Sequence, residues 1–466
     1  MLSAVLGVMA VFLFLLVIWL ISYYSMKRKR KAYIHEKFGK IPKIREWNDA
    51  VRNYYDVVND GTGLDDITWN DLSMNDVFQR AAQCDTSPGE EILYWRLRRN
   101  RMSPEEQRIF EDRVRTWADN EKEREKIEEL LCDIGKSDSS YYLPAYLDGI
   151  ESYVFGHQWV YRVLQILLAA AFIFMLIRPT DGGVMPFVCM CAVNLGIYFW
   201  MNMKHDLELS LIGTAVSLLG NAKQIAARKG IKELFPELQD ALAGLKGVIR
   251  GDRILRIKRE GARTGDALGT CLDYLLGITL MQITTYNKVM KRLMNNVENY
   301  LTVYRCIGEL DAAINTCAAK RFVMPPAEVI TSMAVRDDLM AGESYFIREI
   351  RYLKRILDSI SEERVTICAI DEILRGTNTG ERIRASRAIL EYLRDKNCIA
   401  LVATHDKELT ELLGSDYLNY HFSEEIGEDD IAFSYKIMEG PATSQNAVKL
   451  LEFAGFPEEI IEAAQE

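Results

Sequence analysis

The chain has 466 residues, nine cysteines, 57 basic against 67 acidic side chains and a formal net charge of −10. That acidic balance removes any global electrostatic case for a protein held on DNA by its overall charge. The cysteines are odd in number and scattered from Cys84 to Cys398, with only Cys189 and Cys191 close together. This spacing supports neither a zinc site nor a disulfide framework and leaves reduced, structural thiols as the reading.

Leu2 to Ile21 is almost wholly apolar and about the length that spans a bilayer core. Tyr23 and Tyr24 follow at interface depth, then Lys27, Arg28, Lys29, Arg30 and Lys31, an order that puts the C-terminal side in the cytoplasm. A cleaved signal peptide would carry its charges before the apolar run and a small-residue site after it; neither is present, so the reading is a signal anchor. Two more apolar segments, Trp159 to Ile177 and Val184 to Trp200, are separated by the turn-forming Arg178 to Gly183. A membrane hairpin is expected, with Arg162 snorkelling to the cytoplasmic interface; a buried helical pair in a soluble core is the alternative. The expectation is a multi-pass cell-membrane protein with the bulk of the chain cytoplasmic.

Leu64 to Arg98 has helical periodicity interrupted by a Thr-Ser-Pro-Gly break. From Ser103 to Lys136 charges recur at i,i+4 spacing, which predicts a solvent-exposed helix, and Ser137 to Tyr142 reads as a linker. Asp206 to about Ala313 is helical with few breakers. Within it Lys246, Arg250, Arg253, Arg256, Lys258, Arg259 and Arg263 form a basic patch, suited to nucleic-acid phosphates or anionic lipid head groups, or simply a solvated helix face.

The chain is organised around Val365 to Leu413. An apolar run, Val365 to Ile370, ends in Asp371 and Glu372; a Gly/Thr/Asn loop and an amphipathic helix from about Glu381 lead to a second apolar run, Ile399 to Ala403, followed by Thr404, His405 and Asp406. Two buried strands joined by a helix form a βαβ unit of a parallel sheet, and in such sheets catalytic groups collect beyond the strand C-termini. Asp371 can hold Mg²⁺ through water, Glu372 can orient or deprotonate an attacking water, and His405 can sense or polarise a γ-phosphate. Taken as a bare string, paired acids at a strand end are also compatible with a solvated turn, and His405 with a capping residue.

The segments DEILRGTNT and ATHDKEL resemble the ATPase domain of the DNA mismatch repair MutS family, where similar segments occur at similar separation. Ser332 to Leu357 resembles that family's segment ahead of the magnesium-binding strand, Gly308 to Asn315 the end of its helical lever, and the stretch from Gly440 its closing helices. Leu64 to Arg98 is similar to the start of the family's helical core. The resemblance implies ATP and Mg²⁺ as cofactors, with Asp371 for the metal, and Glu372 and His405 as catalytic groups. It also puts Ser344, Arg375, Gly376, Thr377 and Thr379 at the nucleotide, Ser344 reaching it across a dimer interface.

A MutS-type site also needs a loop ending in Gly-Lys-Ser/Thr to wrap phosphates with backbone N–H groups and neutralise them with a lysine, and no G-x-x-x-x-G-K-S/T occurs in the chain. By the resemblance, the family's first ATPase strands and phosphate loop are expected to be missing between Asn315 and Thr316. A mismatch-reading module is expected to be lacking too, its place taken by the anchor.

The expected fold class is α/β plus all-α: a truncated P-loop NTPase-like parallel-sheet domain behind a long helical lever, with three transmembrane helices. The expected division is an anchor at 1–26, a cytoplasmic helical region at 27–157, a transmembrane hairpin at 158–203, a lever at 204–315 and a truncated ATPase domain at 316–466. The expected function is a membrane-anchored MutS-like ATP-binding protein, deficient in hydrolysis by itself. Its expected partners are the membrane and a second subunit, as a homodimer or with an intact MutS-like paralogue, with DNA possible but not supported by charge. The alternative is a non-catalytic membrane scaffold or truncated product, which would fold poorly because strands flanking Val365 to Ile370 are gone.

Overall fold

Helices build most of the chain, and a small three-stranded parallel sheet builds the rest of its ordered core. A computed structural model describes residues 17, 20–21, 24–40, 47–59, 61–249, 274–317, 327–333, 345–426, 431–442, 448, 451 and 453–464. They fall into two units, Met1–Gly63 with Asn75–Val323, and Leu64–Met74 with Met324–Glu466.

In the helical unit, α1 covers residues 24–37. It is followed by α2 (Ser87–Arg98), α3 (Pro104–Asp119), α4 (Glu121–Ile134), α5 (Gln158–Ile177), α6 (Asp181–Lys204), α7 (Asp206–Ala226), α8 (Met281–Met294) and α9 (Val297–Thr316). Starts are written locally. Thr86 accepts a hydrogen bond from Gly89 N at the head of α2 with Pro88 in its first turn, and Ser103 with Glu106 closes a capping box on α3. The core is built around α7 and α9, whose Leu211, Ile212, Leu219, Tyr300, Ile307 and Leu310 are fully shielded.

The single exposed helix expected over Ser103 to Lys136 is corrected to two helices that meet at Asn120. Trp117, Ile127, Leu131 and Ile134 turn into the core, so the i,i+4 charge pattern decorates an amphipathic pair rather than a solvated rod. The expected linker Ser137 to Tyr142 is also corrected. It holds a 3₁₀ turn, Asp138–Tyr142, with Ser140 and Tyr141 buried and the Tyr141 hydroxyl donating to Glu90 at 2.5 Å.

Of the three expected spans, α5 and α6 are long and apolar enough to cross a membrane by length and composition. Both leave apolar side chains exposed, among them Trp159, Ile166, Leu176, Met185 and Met203. Three transmembrane helices are therefore not supported, with two candidates among the described residues; most of the expected anchor at 1–26 lies outside them, as do residues 250–263 of the basic patch.

In the second unit β1 (Ala327–Ser332), β2 (Val365–Asp371) and β3 (Cys398–Ala403) pair in parallel in that order, with Cys368 opposite Ile330 on one side and Ala400 on the other. Helices α10 (Tyr345–Ser359), α11 (Thr379–Arg394) and α12 (Lys407–Leu413) supply Leu353, Ile356, Leu390, Leu393 and Leu409 to the core over Cys368 and Ile370. β2 thus has a neighbour on each side, which corrects the expectation that its flanking strands are gone: β1, unread in the sequence, fills one of the two places.

The other edge of β1 is closed by side chains. From the short helix Asp66–Asp71, Thr68 Oγ1 accepts from Thr331 N at 3.3 Å and Asp71 Oδ2 accepts from Met333 N at 2.9 Å. These contacts answer the N–H groups of Thr331 and of Met333 just past the strand with side chains. On the sheet face away from the core, Ile399 and Leu401 of β3 are 52% and 60% exposed. A separate antiparallel pair, β4 (Tyr420–Ile426) with β5 (Ile431–Glu439), follows, and the sequence reading had no counterpart for it.

Candidate nucleotide-type site at the strand ends

Asp371 ends β2 and its Cα pairs with Ala403, the last residue of β3, so both strand tips open on the same rim. Its side chain is exposed. Because β2 alternates inward and outward, Asp371 lies on the face of Ile367 and Ala369, opposite the core positions Cys368 and Ile370. Glu372 leaves the sheet with φ 51, its N–H still donating to Ala403 O at 2.9 Å, and Leu374 also takes a left-handed φ of 57. Two non-glycine residues in that region within three positions mark a turn that packing imposes on the chain, as strained turns at functional sites do.

The turn gathers charge around Glu372. Its Oε1 lies 3.4 Å from His405 Nε2, beyond the tip of β3, and its Oε2 lies 3.0 Å from Arg375 Nε. The Oε2 contact is an ion pair without hydrogen-bond geometry. His405 is 93% exposed on its side chain against 22% for Glu372, so the imidazole is open to solvent while the carboxylate is sheltered. Next to His405, Asp406 takes a two-pronged contact from Arg382 of α11, at 2.8 and 2.5 Å. That fork fixes the β3–α12 turn against the helix that follows the acidic loop.

The loop itself is held from beneath. Glu349 of α10, only 4% exposed, accepts from Arg375 N and from Gly376 N, both at 3.0 Å. Thr377 Oγ1 approaches Glu381 at 3.4 Å, and Asn378 caps α11 by accepting from Glu381 N at 3.0 Å; Thr379 opens that helix. The sequence reading missed Glu349 and Arg382. Their signal lay in the helical phase of α10 and α11, which turns one side chain per helix toward the loops at the strand ends, and single-chain spacing does not show which one.

Asp371, Glu372, Arg375, Gly376, Thr377 and His405 are therefore gathered at one rim, with Thr379 at the start of the adjoining helix. Ser344 lies outside the described residues, as do residues 318–326 just after the expected gap at Asn315 and Thr316. Chemically, the rim offers one exposed carboxylate suited to a hydrated divalent cation, one sheltered carboxylate paired with the Arg375 guanidinium, and one exposed imidazole. Among the described residues it offers an incoming anion no lysine, and the two loop N–H groups that could cup an oxyanion are already taken by Glu349.

Residues 312–466 match the family model of MutS domain V. The chain is 35% identical over 142 residues to the DNA mismatch repair protein MutS of Caldanaerobacter subterraneus subsp. tengcongensis, covering 30% of this chain and 16% of that protein. It is 32% identical over 141 residues to DNA mismatch repair protein MutS 2 of Haloarcula marismortui, covering 30% and 15%. It is 31% identical over 137 residues to DNA mismatch repair protein MutS of Thermus caldophilus, covering 29% and 16%. The matched segment thus spans about a sixth of the length of these curated relatives, and it supports the MutS family through domain V.

Proposed function

We propose that this chain is a membrane-anchored protein with a MutS-type nucleotide half-site, which keeps the metal and water groups and does not hydrolyse ATP alone. The observation that carries the reading is the cluster of Asp371, Glu372 and His405 at the tips of two adjacent parallel strands, inside the segment that matches domain V. Magnesium bound there would neutralise phosphate oxygens. Asp371, exposed at its strand end, suits that ion through water, and Glu372 suits the holding of a water and its proton.

The residues fit the metal and not the triphosphate. The chain has no glycine-rich loop ending in Gly-Lys-Ser/Thr, and Glu349 occupies the loop amides that would otherwise meet an anion. Without that grip a tetra-anion meets carboxylates, and most of the binding and transition-state stabilisation is lost. Ser344 and the loop from Arg375 to Thr379 are read as the face lent to a partner that carries its own phosphate loop, a second copy or an intact MutS-like paralogue. The membrane assignment is supported by the length and exposure of α5 and α6 and by the cluster Lys27 to Lys31 after the first apolar run. DNA has no support from the net charge of −10.

The test is ATP turnover by the full chain alone and with an intact MutS-like paralogue, each with Ser344→Ala and Glu372→Gln. No turnover alone, and turnover with the paralogue that drops about tenfold or more on Ser344→Ala, supports the reading. Turnover that ignores both substitutions overturns it.

The Glu349 contact with the loop amides favours a second reading, a non-catalytic membrane scaffold whose nucleotide loop is closed by its own carboxylate. A fluorescent ATP analogue separates the two: saturable Mg²⁺-dependent binding by the complex with the paralogue belongs to the first reading, and none in any combination to the second.

A further inference from the structure

A groove of about 780 Å³ runs between α5 and α8, wholly within the helical unit. Arg162 lines it from α5, and Lys288, Lys291 and Arg292 line it from α8; among the described residues no acidic side chain does. Among the described residues Arg162, Lys288 and Lys291 make no ion pair, and all three are exposed. Arg292 is partly engaged, donating to the Gly247 carbonyl. Four uncompensated cations facing one cavity repel one another, and an anion between them removes that repulsion.

The groove changes character along its length. On α5, Arg162 is followed one and two turns later by Ile166 and Ala169, which also line the groove and belong to the apolar run of a candidate membrane span. Arg162 is the fifth residue of a helix that starts at Gln158, on the order of 6 Å from its end at the rise of an α-helix. That is the depth at which arginines snorkel to the interface. On α8 the buried face carries Ile283, Tyr286, Val289, Met290 and Leu293 together with Gln282 and Asn287, and Lys288 and Lys291 face outward. Gln165 secures the wall between the two zones by donating to Thr279 O at 2.9 Å and Thr284 Oγ1 at 3.3 Å.

We propose that this groove binds an anionic phospholipid, with its phosphate among Arg162, Lys288, Lys291 and Arg292 and an acyl chain along Ile166 and Ala169. A cationic cluster at interface depth next to the exposed apolar side chains Ile166 and Ala169 of a candidate span matches both ends of that molecule. A free phosphate shares only the head-group chemistry and leaves the apolar part unanswered. The proposal rests on α5 and α6 spanning a membrane.

The test uses the full chain. Flotation with phosphatidylcholine liposomes after a high-pH wash examines the membrane reading by itself. Native mass spectrometry in detergent then compares retention of phosphatidylglycerol with phosphatidylcholine for the wild type, Lys288→Ala/Lys291→Ala and Lys122→Ala, an exposed lysine on α4. The expected result is flotation, a preference for phosphatidylglycerol, its loss by about tenfold in the double variant and no change in Lys122→Ala. Flotation without a lipid preference, or a preference that the double variant keeps, overturns the groove and leaves the membrane reading standing. Failure to float overturns both. Displacement of phosphatidylglycerol by inorganic phosphate at similar concentration assigns the cations to a free anion and overturns the lipid.

Discussion

The carboxylate of Asp311 accepts hydrogen bonds from Thr86 at both its backbone N, 2.8 Å, and its Oγ1, 2.6 Å, and a third from Asp85 N at 3.1 Å. Asp311 belongs to α9 near the end of the helical unit, and Thr86 caps α2 near its beginning. One buried acid therefore joins segments 225 residues apart. Replacing it with alanine strands three donors, each costing about 1–3 kcal/mol when buried and unanswered. Asp311→Ala is expected to lower the unfolding temperature of the full chain in detergent and to release amide exchange protection at Thr86 first. Unchanged protection there would show that the link is not needed.

The same acid should leave a mark in pH dependence. Burial first, and then the charge of Asp85, push the Asp311 carboxyl up to about 7, against the opposing pull of its hydrogen-bond donors and Lys37. The unfolded chain titrates this group near about 4, so between about 4 and about 7 the folded state holds the extra proton. Its contribution to stability is present below that window and is lost as pH rises through about 7. In Asp311→Asn this titration is absent, so the stability difference between wild type and variant should shift in the variant's favour as pH rises across the window. A difference that stays flat from pH 5 to 8 would refute it.

Helix α9 passes α2 closely enough to require a residue without a side chain. A Cβ at Gly308 would lie 2.4 Å from Ile92 Cγ1 and 2.6 Å from the Pro88 carbonyl oxygen, and the second of these is backbone that does not rotate away. Gly308→Ala is expected to cost about 1–3 kcal/mol by overpacking, despite alanine's higher helix propensity. Denaturant titration read by circular dichroism measures it, and a stabilised variant would contradict the contact.

Glu349 is expected to set the shape of the strand-end loop. Glu349→Ala leaves the N–H groups of Arg375 and Gly376 without an acceptor, at roughly 1–3 kcal/mol locally. Amide exchange at Gly376 should accelerate while the core of α11 stays protected. If exchange at Gly376 stays at the wild-type rate, the loop is held by something other than Glu349.

The sequence alone determined what depends on neighbours along the chain. The β2–α11–β3 unit was legible because two apolar runs ending in Asp371–Glu372 and in Thr404–His405 carry their periodicity locally. The length and apolar character of α5 and α6 were legible for the same reason. The likeness to MutS domain V rests on the same local strings, DEILRGTNT and ATHDKEL.

Tertiary structure alone decided what depends on partners brought from afar. β1 was unread because AEVITS is a short run whose strand character comes from pairing with β2 and from Thr68 and Asp71, over 250 residues earlier, answering its outer edge. The charged stretch after Ser103 looked solvated because i,i+4 charges are visible in sequence, whereas the core that Trp117 and Ile127 enter is not. Glu349, Arg382 and Asp311 gained their roles in the same way. A buried or half-buried polar group is defined by the donors and charges that meet it in space, and residue spacing along one chain does not encode which ones those are.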